Sequence, residues 1–230
     1  DNPRGFVDLI IEKMIPQVKE RDLAKFIDVF CEKGVFSVEE SKEILEAGRK
    51  HGFLAKVHAD EIEPLGGAEL AADVGCISAE HLVAASDEGI KKMAEKGVVA
   101  VLLPATSFNL QVGKFARAKK MIEEGVAVAL STDYNPGSCP TENMQLVINF
   151  ASIIMKLTPE EVITAATINA ASALNLEEEI GSIEVGKKAD IVIFDAPNLD
   201  YIIYHFGINH TDKVIKNGKL VYKKTNNIVY

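Results

Sequence analysis

Short, almost unbroken apolar runs alternate along the chain with stretches whose apolar residues recur every three or four positions. The runs KFIDVFC (25–31), LAKVHA (54–59), CISAEHL (76–82), VVAVLLP (98–104) and VAVALST (126–132) predict five strands. Between them, SVEESKEILEAGRKHG (37–52), GGAELAADVG (66–75), SDEGIKKMAEKG (86–97) and GKFARAKKMIEEG (113–125) predict helices. Ser37 and Glu40 have the spacing of a capping box, and Gly52, Gly97 and Gly125 stand where helix C-termini need positive φ. Strands that are apolar on both faces belong in a parallel sheet covered from both sides. Their alternation with helices makes a series of βα units.

A closed (β/α)8 barrel has eight strands in about 250 residues, whereas five are visible here. The chain opens on DNPRGFVDLIIEKMIP, without methionine and already in a helical pattern. Both features favour a truncated barrel, part of a longer protein, over a complete open sheet. After the fifth strand come two more helical patterns, ENMQLVINFASIIMKL and TPEEVITAATINAASALNL, the second opened by Thr158, Pro159 and Glu161 as N-cap, N1 and N3. From residue 181 the texture changes to GSIEVGKKADIVIFDA, and DKVIKNGKLVYKK carries a hairpin signal at Asn217-Gly218. The expected organisation is a barrel part over 1–180 and part of a small β-sandwich over 181–230.

Composition narrows the function classes. Hydrophobic residues make up 47% and charged residues 26% of the 230, an ordinary globular balance. A net charge of −9 argues against nucleic acid or an anionic membrane as partner, since either needs a basic face. No apolar run approaches the roughly 18–20 residues of a membrane span, and no secretory leader is read ahead of the fold. Cys31, Cys76 and Cys139 are odd in number with no CxxC spacing, and read as reduced thiols of a cytoplasmic protein.

Candidate chemistry sits at strand ends. Of five histidines, His51 falls at a helix end and reads as structural, as do His205 and His210 in the tail. His58 and His81 end the second and third predicted strands, and Asp133 ends the fifth. In a barrel these C-terminal ends open onto one mouth, so residues far apart in sequence converge there. Imidazole nitrogens and a carboxylate at one mouth suit a zinc- or iron-type hydrolytic site, in which the cation lowers the pKa of water toward about 7. Glu61, three residues past His58, can lean over the same mouth, whereas Asp60 and Glu63 read as solvated loop acids. Asn135, Gly137 and Ser138 follow Asp133 directly, and fit either a ligand-contacting loop or a plain turn.

The stretches KVHADE, SAEHL, LLPATSF and STDYNPGS, in this order and spacing, resemble the imidazolonepropionase family of the amidohydrolase superfamily. GSIEVGKKADIVIFD and KVIKNGKLVY resemble the superfamily's return into its small sandwich. The resemblance implies hydrolysis of the cyclic amide C–N bond of 4-imidazolone-5-propanoate to N-formimidoyl-L-glutamate in histidine degradation, with one bound zinc or iron. It implies that His58 and Asp133 are metal ligands and that Glu61 contacts substrate and moves protons. His81 would polarise the carbonyl or orient water, while Asn135, Gly137 and Ser138 would touch substrate. A homodimer is expected on the same ground. One departure stands out. The family's His-x-His pair of the first strand is absent, so the 25–31 run counts as strand four and the metal site as half present. The 230 residues alone are therefore expected to be inactive. Two other readings remain: a deaminase of the same superfamily acting on a nucleobase-like ring, and a non-catalytic barrel remnant.

Overall fold

The computed structural model describes residues 2–225. Helices α1 (Pro3–Leu9) and α2 (Ile15–Glu20), joined by a π-helical stretch (Ile10–Met14), lead into five strands, β1 (Phe26–Cys31), β2 (Leu54–Ala59), β3 (Ser78–His81), β4 (Val99–Leu102) and β5 (Val128–Leu130). The connections carry α3 (Val38–Lys50), α4 (Gly67–Val74), α5 (Asp87–Lys96), α6 (Pro104–Asn109) and α7 (Ala118–Glu123). The strands pair in parallel with their sequence neighbours, in the order β1-β2-β3-β4-β5. Each βα unit therefore adds one strand to the same growing wall, the architecture of a (β/α)8 barrel arc.

Burial alternates along β2 and the end of β1, whereas β3, β4 and β5 are buried throughout, and strand parity defines the two faces. Ala55, Val57 and Ala59 of β2, Ala100 and Leu102 of β4, and Val128 and Leu130 of β5 join the main core beneath the helices. Residues of opposite parity line the inner face, where Val99, Val101, Leu103 and Ala129 form a second apolar layer with Ala173. Both faces of β4 and β5 are thus dry, which is why their sequences carry no polar alternation. The caps match their spacing. The Ser37–Glu40 and Thr158–Glu161 boxes are closed in both directions, and Gly52, Gly97 and Gly125 all have positive φ.

Helices α8 (Met144–Ile153), α9 (Pro159–Ala166) and α10 (Ile168–Ser172) follow β5. A three-stranded antiparallel sheet then forms from β6 (Ile191–Phe194), β7 (Thr211–Lys216) and β8 (Lys219–Lys223), with α11 (Leu199–Tyr204) between its first two strands. The β7–β8 hairpin turns at Asn217 and Gly218, both at positive φ. Asn149 of α8, itself buried, holds this segment. Its amide donates to the Ile202 and Ile203 carbonyls at 3.2 and 3.1 Å and its oxygen accepts from the Gly207 N–H at 3.1 Å. Asp1 and residues 226–230, included in the two expected units, lie outside the described residues.

The reading and the structure differ locally at α6, α7 and α11. The helix expected over 113–125 begins only at Ala118, because Arg117 is drawn aside to Asp87 Oδ1 at 2.5 Å and the Ala85 carbonyl at 2.6 Å. Helices α6 and α11, six residues each, were not expected. Each is too short to show helical periodicity in sequence.

Candidate active site

His58 is placed by strand parity. It lies on the inner face of β2, with Phe30 of β1 and Glu80 of β3 as its cross-strand partners. His81 closes β3, and its ring centroid is 5.3 Å from that of His58. The chain kinks where it leaves the strands: Asp60 after β2, His81 and Leu82 at the end of β3, and Asp133 after β5 all take positive φ. Non-glycine residues hold that conformation only where surrounding structure imposes it, and such strain gathers at functional sites.

The loop that carries Glu61 is pinned from two directions. Asp60 is fully buried, contrary to its reading as a solvated acid. Its Oδ1 accepts from the N–H groups of Leu65, Gly66 and Gly67 at 2.9, 3.0 and 3.0 Å, and its Oδ2 from that of Ala68 at 2.8 Å. A carboxylate here satisfies the otherwise orphaned amides at the start of α4 and favours its positive dipole end. Glu32, buried just beyond β1, accepts from the Ile62 N–H at 2.9 Å. Glu61 between these anchors approaches His81, Oε1 to Nδ1 at 3.6 Å. Glu63, by contrast, is exposed as expected.

Asp133 is held from β4's side, where the Thr106 hydroxyl donates to its Oδ2 at 2.7 Å. The residues after it close on themselves. Asn135 Oδ1 accepts from the N–H groups of Gly137 and Ser138 at 2.8 and 2.7 Å, and its amide donates to the Asp133 carbonyl and the Ser138 hydroxyl at 2.9 and 2.6 Å. The Gly137 N–H is thus committed to the turn, and Asn109 caps the Ser138 carbonyl at 2.8 Å. The geometry brings His58, His81, Glu61 and Asp133 to one mouth and places Asn135, Gly137 and Ser138 in a rigid turn at its rim.

Electrostatics separate these groups. Burial and the neighbouring His58 push His81 down to about 4, so it is neutral at physiological pH. Burial, reinforced by the charge of Asp133, raises Glu61 above the usual carboxylate range. Burial opposes a charge on His58, but its hydrogen bond to Asp28 and the charges of Asp28, Glu80 and Asp133 outweigh this and raise it. The 3.6 Å His81–Glu61 approach is accordingly a contact between two groups both driven toward neutrality, not an ion pair.

Sequence reading passed over Asp28 and Glu80. Both oxygens of Asp28 lie 3.1 Å from His58 Nδ1. Glu80 is buried under His58; its Oε1 accepts from Ser78 at 2.6 Å and meets Lys56 at 3.0 Å. Lys56 in turn also contacts the Ser78 hydroxyl and donates to the Ala173 carbonyl at 3.0 Å, closing the inner face toward α10. Donor atoms of Asp28, His58 and Glu80 come within 4.8 Å of one another, and Glu80 Oε2 is buried without a hydrogen-bond partner. A lone polar atom in the interior is costly unless something satisfies it. Together with the nitrogen and carboxylate donors around it, this mouth fits a zinc- or iron-type cation. Single acids inside apolar strands were the available signal, legible only once the inward parity was known.

Residues 17–221 match the amidohydrolase family. The chain belongs to that family. As an amidohydrolase it is 65% identical over 226 residues to the imidazolonepropionase of Alkaliphilus oremlandii, covering 98% of this chain and 54% of that protein. It is 62% identical over 224 residues to the imidazolonepropionase of Alkaliphilus metalliredigens, covering 97% and 53%. The chain thus spans about half the length of the curated relatives it matches. Among solved structures, a zinc-bound adenosine deaminase from Xanthomonas campestris superposes with a TM-score of 0.73 at 22% identity, over 91% of this chain and 54% of that one. That likeness shows the fold, and the five-stranded wall is the truncated amidohydrolase barrel expected. Among the described residues no helix is long and apolar enough to cross a membrane.

Proposed function

We propose that this amidohydrolase chain forms the half of an imidazolonepropionase that bears Glu61, His81 and Asp133, and that the whole protein opens the ring of 4-imidazolone-5-propanoate to give N-formimidoyl-L-glutamate. The observation that carries the reading is the meeting of four side chains from three strand ends, with Glu61 and His81 driven in opposite directions by their surroundings. Both shifts favour the neutral form, which leaves His81 a hydrogen-bond donor and Glu61 a group able to hold a proton beside it.

His58 and Asp133 are the side chains here that would hold zinc or iron, alongside a His-x-His pair that this sequence does not contain. When bound, the metal supplies the Lewis acidity that lets water act as a nucleophile near neutral pH. His81, neutral and buried, orients by hydrogen bonding and donates to the carbonyl oxygen as negative charge grows there. Glu61 has the raised affinity for protons that a relay to the departing ring nitrogen needs. Thr106 fixes the Asp133 carboxylate, and the Asn135–Ser138 turn presents a stiff rim against which the substrate's polar groups are held. The half-built ligand set makes the 230-residue chain inactive by itself. The buried free thiols suit the cytoplasm, and the whole protein is proposed to be a homodimer.

Substrate screening of the full-length protein tests the reading. Ring opening of imidazolone propionate consumes its ultraviolet absorbance without releasing ammonia, whereas a nucleobase deaminase releases one ammonia per turnover. Turnover of the first kind is expected. Ammonia release from a purine or pyrimidine, with imidazolone propionate untouched, would replace it with the deaminase reading.

A further inference from the structure

We infer that Asp28 is the positioning residue that sets the orientation of His58 toward the metal. The inference rests on the proposed role of His58 as a ligand and adds the residue that makes it one. An ionised carboxylate only accepts hydrogen bonds, so the 3.1 Å contacts from both Asp28 oxygens require the proton of His58 to sit on Nδ1. Nε2 is then the nitrogen left with a free lone pair. Histidines that bind metals commonly donate their second ring nitrogen to a carboxylate in this manner, which fixes both tautomer and ring plane.

The strand register explains why Asp28 can do this. His58 stands opposite Phe30, and Asp28 is one pleat earlier on the same inward face of β1. The Phe30 ring meets the imidazole edge-on at 5.8 Å between centroids and limits its swing on the other side. Glu80, the other nearby acid, has its Oε1 committed to Ser78 and Lys56, and neither of its oxygens makes a hydrogen bond to His58. Asp28 makes no other side-chain hydrogen bond among the described residues, and its side chain is 39% exposed, so no structural debt explains a carboxylate at this point of an apolar strand.

The test measures zinc affinity of the full-length protein by competition with a chromophoric chelator, for the parent, D28A, D28N and H58A. Loss of an orienting carboxylate weakens metal binding about 10- to 100-fold. D28A is expected in that range, with the melting temperature of its metal-free form unchanged. D28N, whose amide oxygen still accepts from Nδ1–H, is expected to recover part of the affinity. H58A is expected to lose more than either. D28A binding zinc within about twofold of the parent, while H58A does not, overturns the inference. So does a loss in D28A as complete as that in H58A, which would make Asp28 a ligand itself. If H58A binds like the parent, the ligand reading of His58 fails and the inference falls with it. An unstable D28A leaves D28N to decide, since its shape is that of the native side chain.

Discussion

Replacing Asp60 by alanine removes the acceptor from four backbone amides at once. Two of them, Gly67 and Ala68, are buried and cannot turn to water, while Leu65 and Gly66 are partly accessible. A buried donor left without its partner costs about 1–3 kcal/mol, and a partly hydrated one roughly 0.5–1 kcal/mol. The loss should be about 3–8 kcal/mol, a large share of the roughly 5–15 kcal/mol that keeps a domain folded. Asp60→Asn is a sharper variant, since its oxygen still serves three amides while its NH2 group faces the Ala68 N–H. It should lose about 1–3 kcal/mol. Urea denaturation of the full-length protein measures both. The chain link to function is Glu61, the next residue, so turnover by Asp60→Asn should fall even at temperatures where it is fully folded. Unfolding free energies within about 1 kcal/mol of the parent for Asp60→Ala would refute the argument that this carboxylate organises the loop.

Three further outcomes follow from the geometry. Asp133→Ala should lose metal and turnover together, whereas Glu61→Ala should keep its metal and lose about 10²–10⁴-fold in kcat, the usual worth of a general acid–base group; metal analysis beside steady-state kinetics separates the two. Gly67→Ala would put a methyl 2.7 Å from Ala59 Cβ and 3.0 Å from Ala59 Cα, and since that obstacle is backbone the variant should lose about 1–3 kcal/mol in urea melts. Glu161 is held below its ordinary range: burial opposes its charge, but Lys119 at 2.6 Å and the Thr158 N–H outweigh it. A depressed folded-state value means that its contribution is present above about pH 4.5 and is lost as pH falls through the folded value. Glu161→Gln should therefore flatten the acid limb of a stability–pH curve slightly and leave the limb above pH 6 parallel to the parent's; an unchanged acid limb would contradict the assignment.

How legible each feature was depended on whether its cause is local. Strand β2 was read to the residue because LAKVHA is bounded by Gly52 on one side and by polar, Pro-broken chain on the other. The capping boxes and the Asn217-Gly218 hairpin are short-range chemistry and stood in the sequence unaltered. His58, His81, Glu61 and Asp133 were singled out because strand ends of a barrel share one mouth, a rule that needs topology but no coordinates. Asp28 escaped because a single acid within FIDVFC reveals its partner only when the β1–β2 register is known. Asp60 was misjudged because acids near a Pro-Gly turn are usually hydrated, and nothing local says that four amides converge on this one. The late start of α7 has the same origin: Arg117 answers to Asp87, thirty residues earlier in the chain.

The claim on which the functional account depends is that side chains at positions 58 and 133 serve one cation. Anomalous diffraction at the zinc edge from crystals of the metal-loaded full-length protein tests it without reference to activity. The account predicts a single strong peak about 2.0–2.2 Å from a nitrogen of His58 and an oxygen of Asp133. A peak that touches neither residue, with the protein fully loaded and folded, would contradict it.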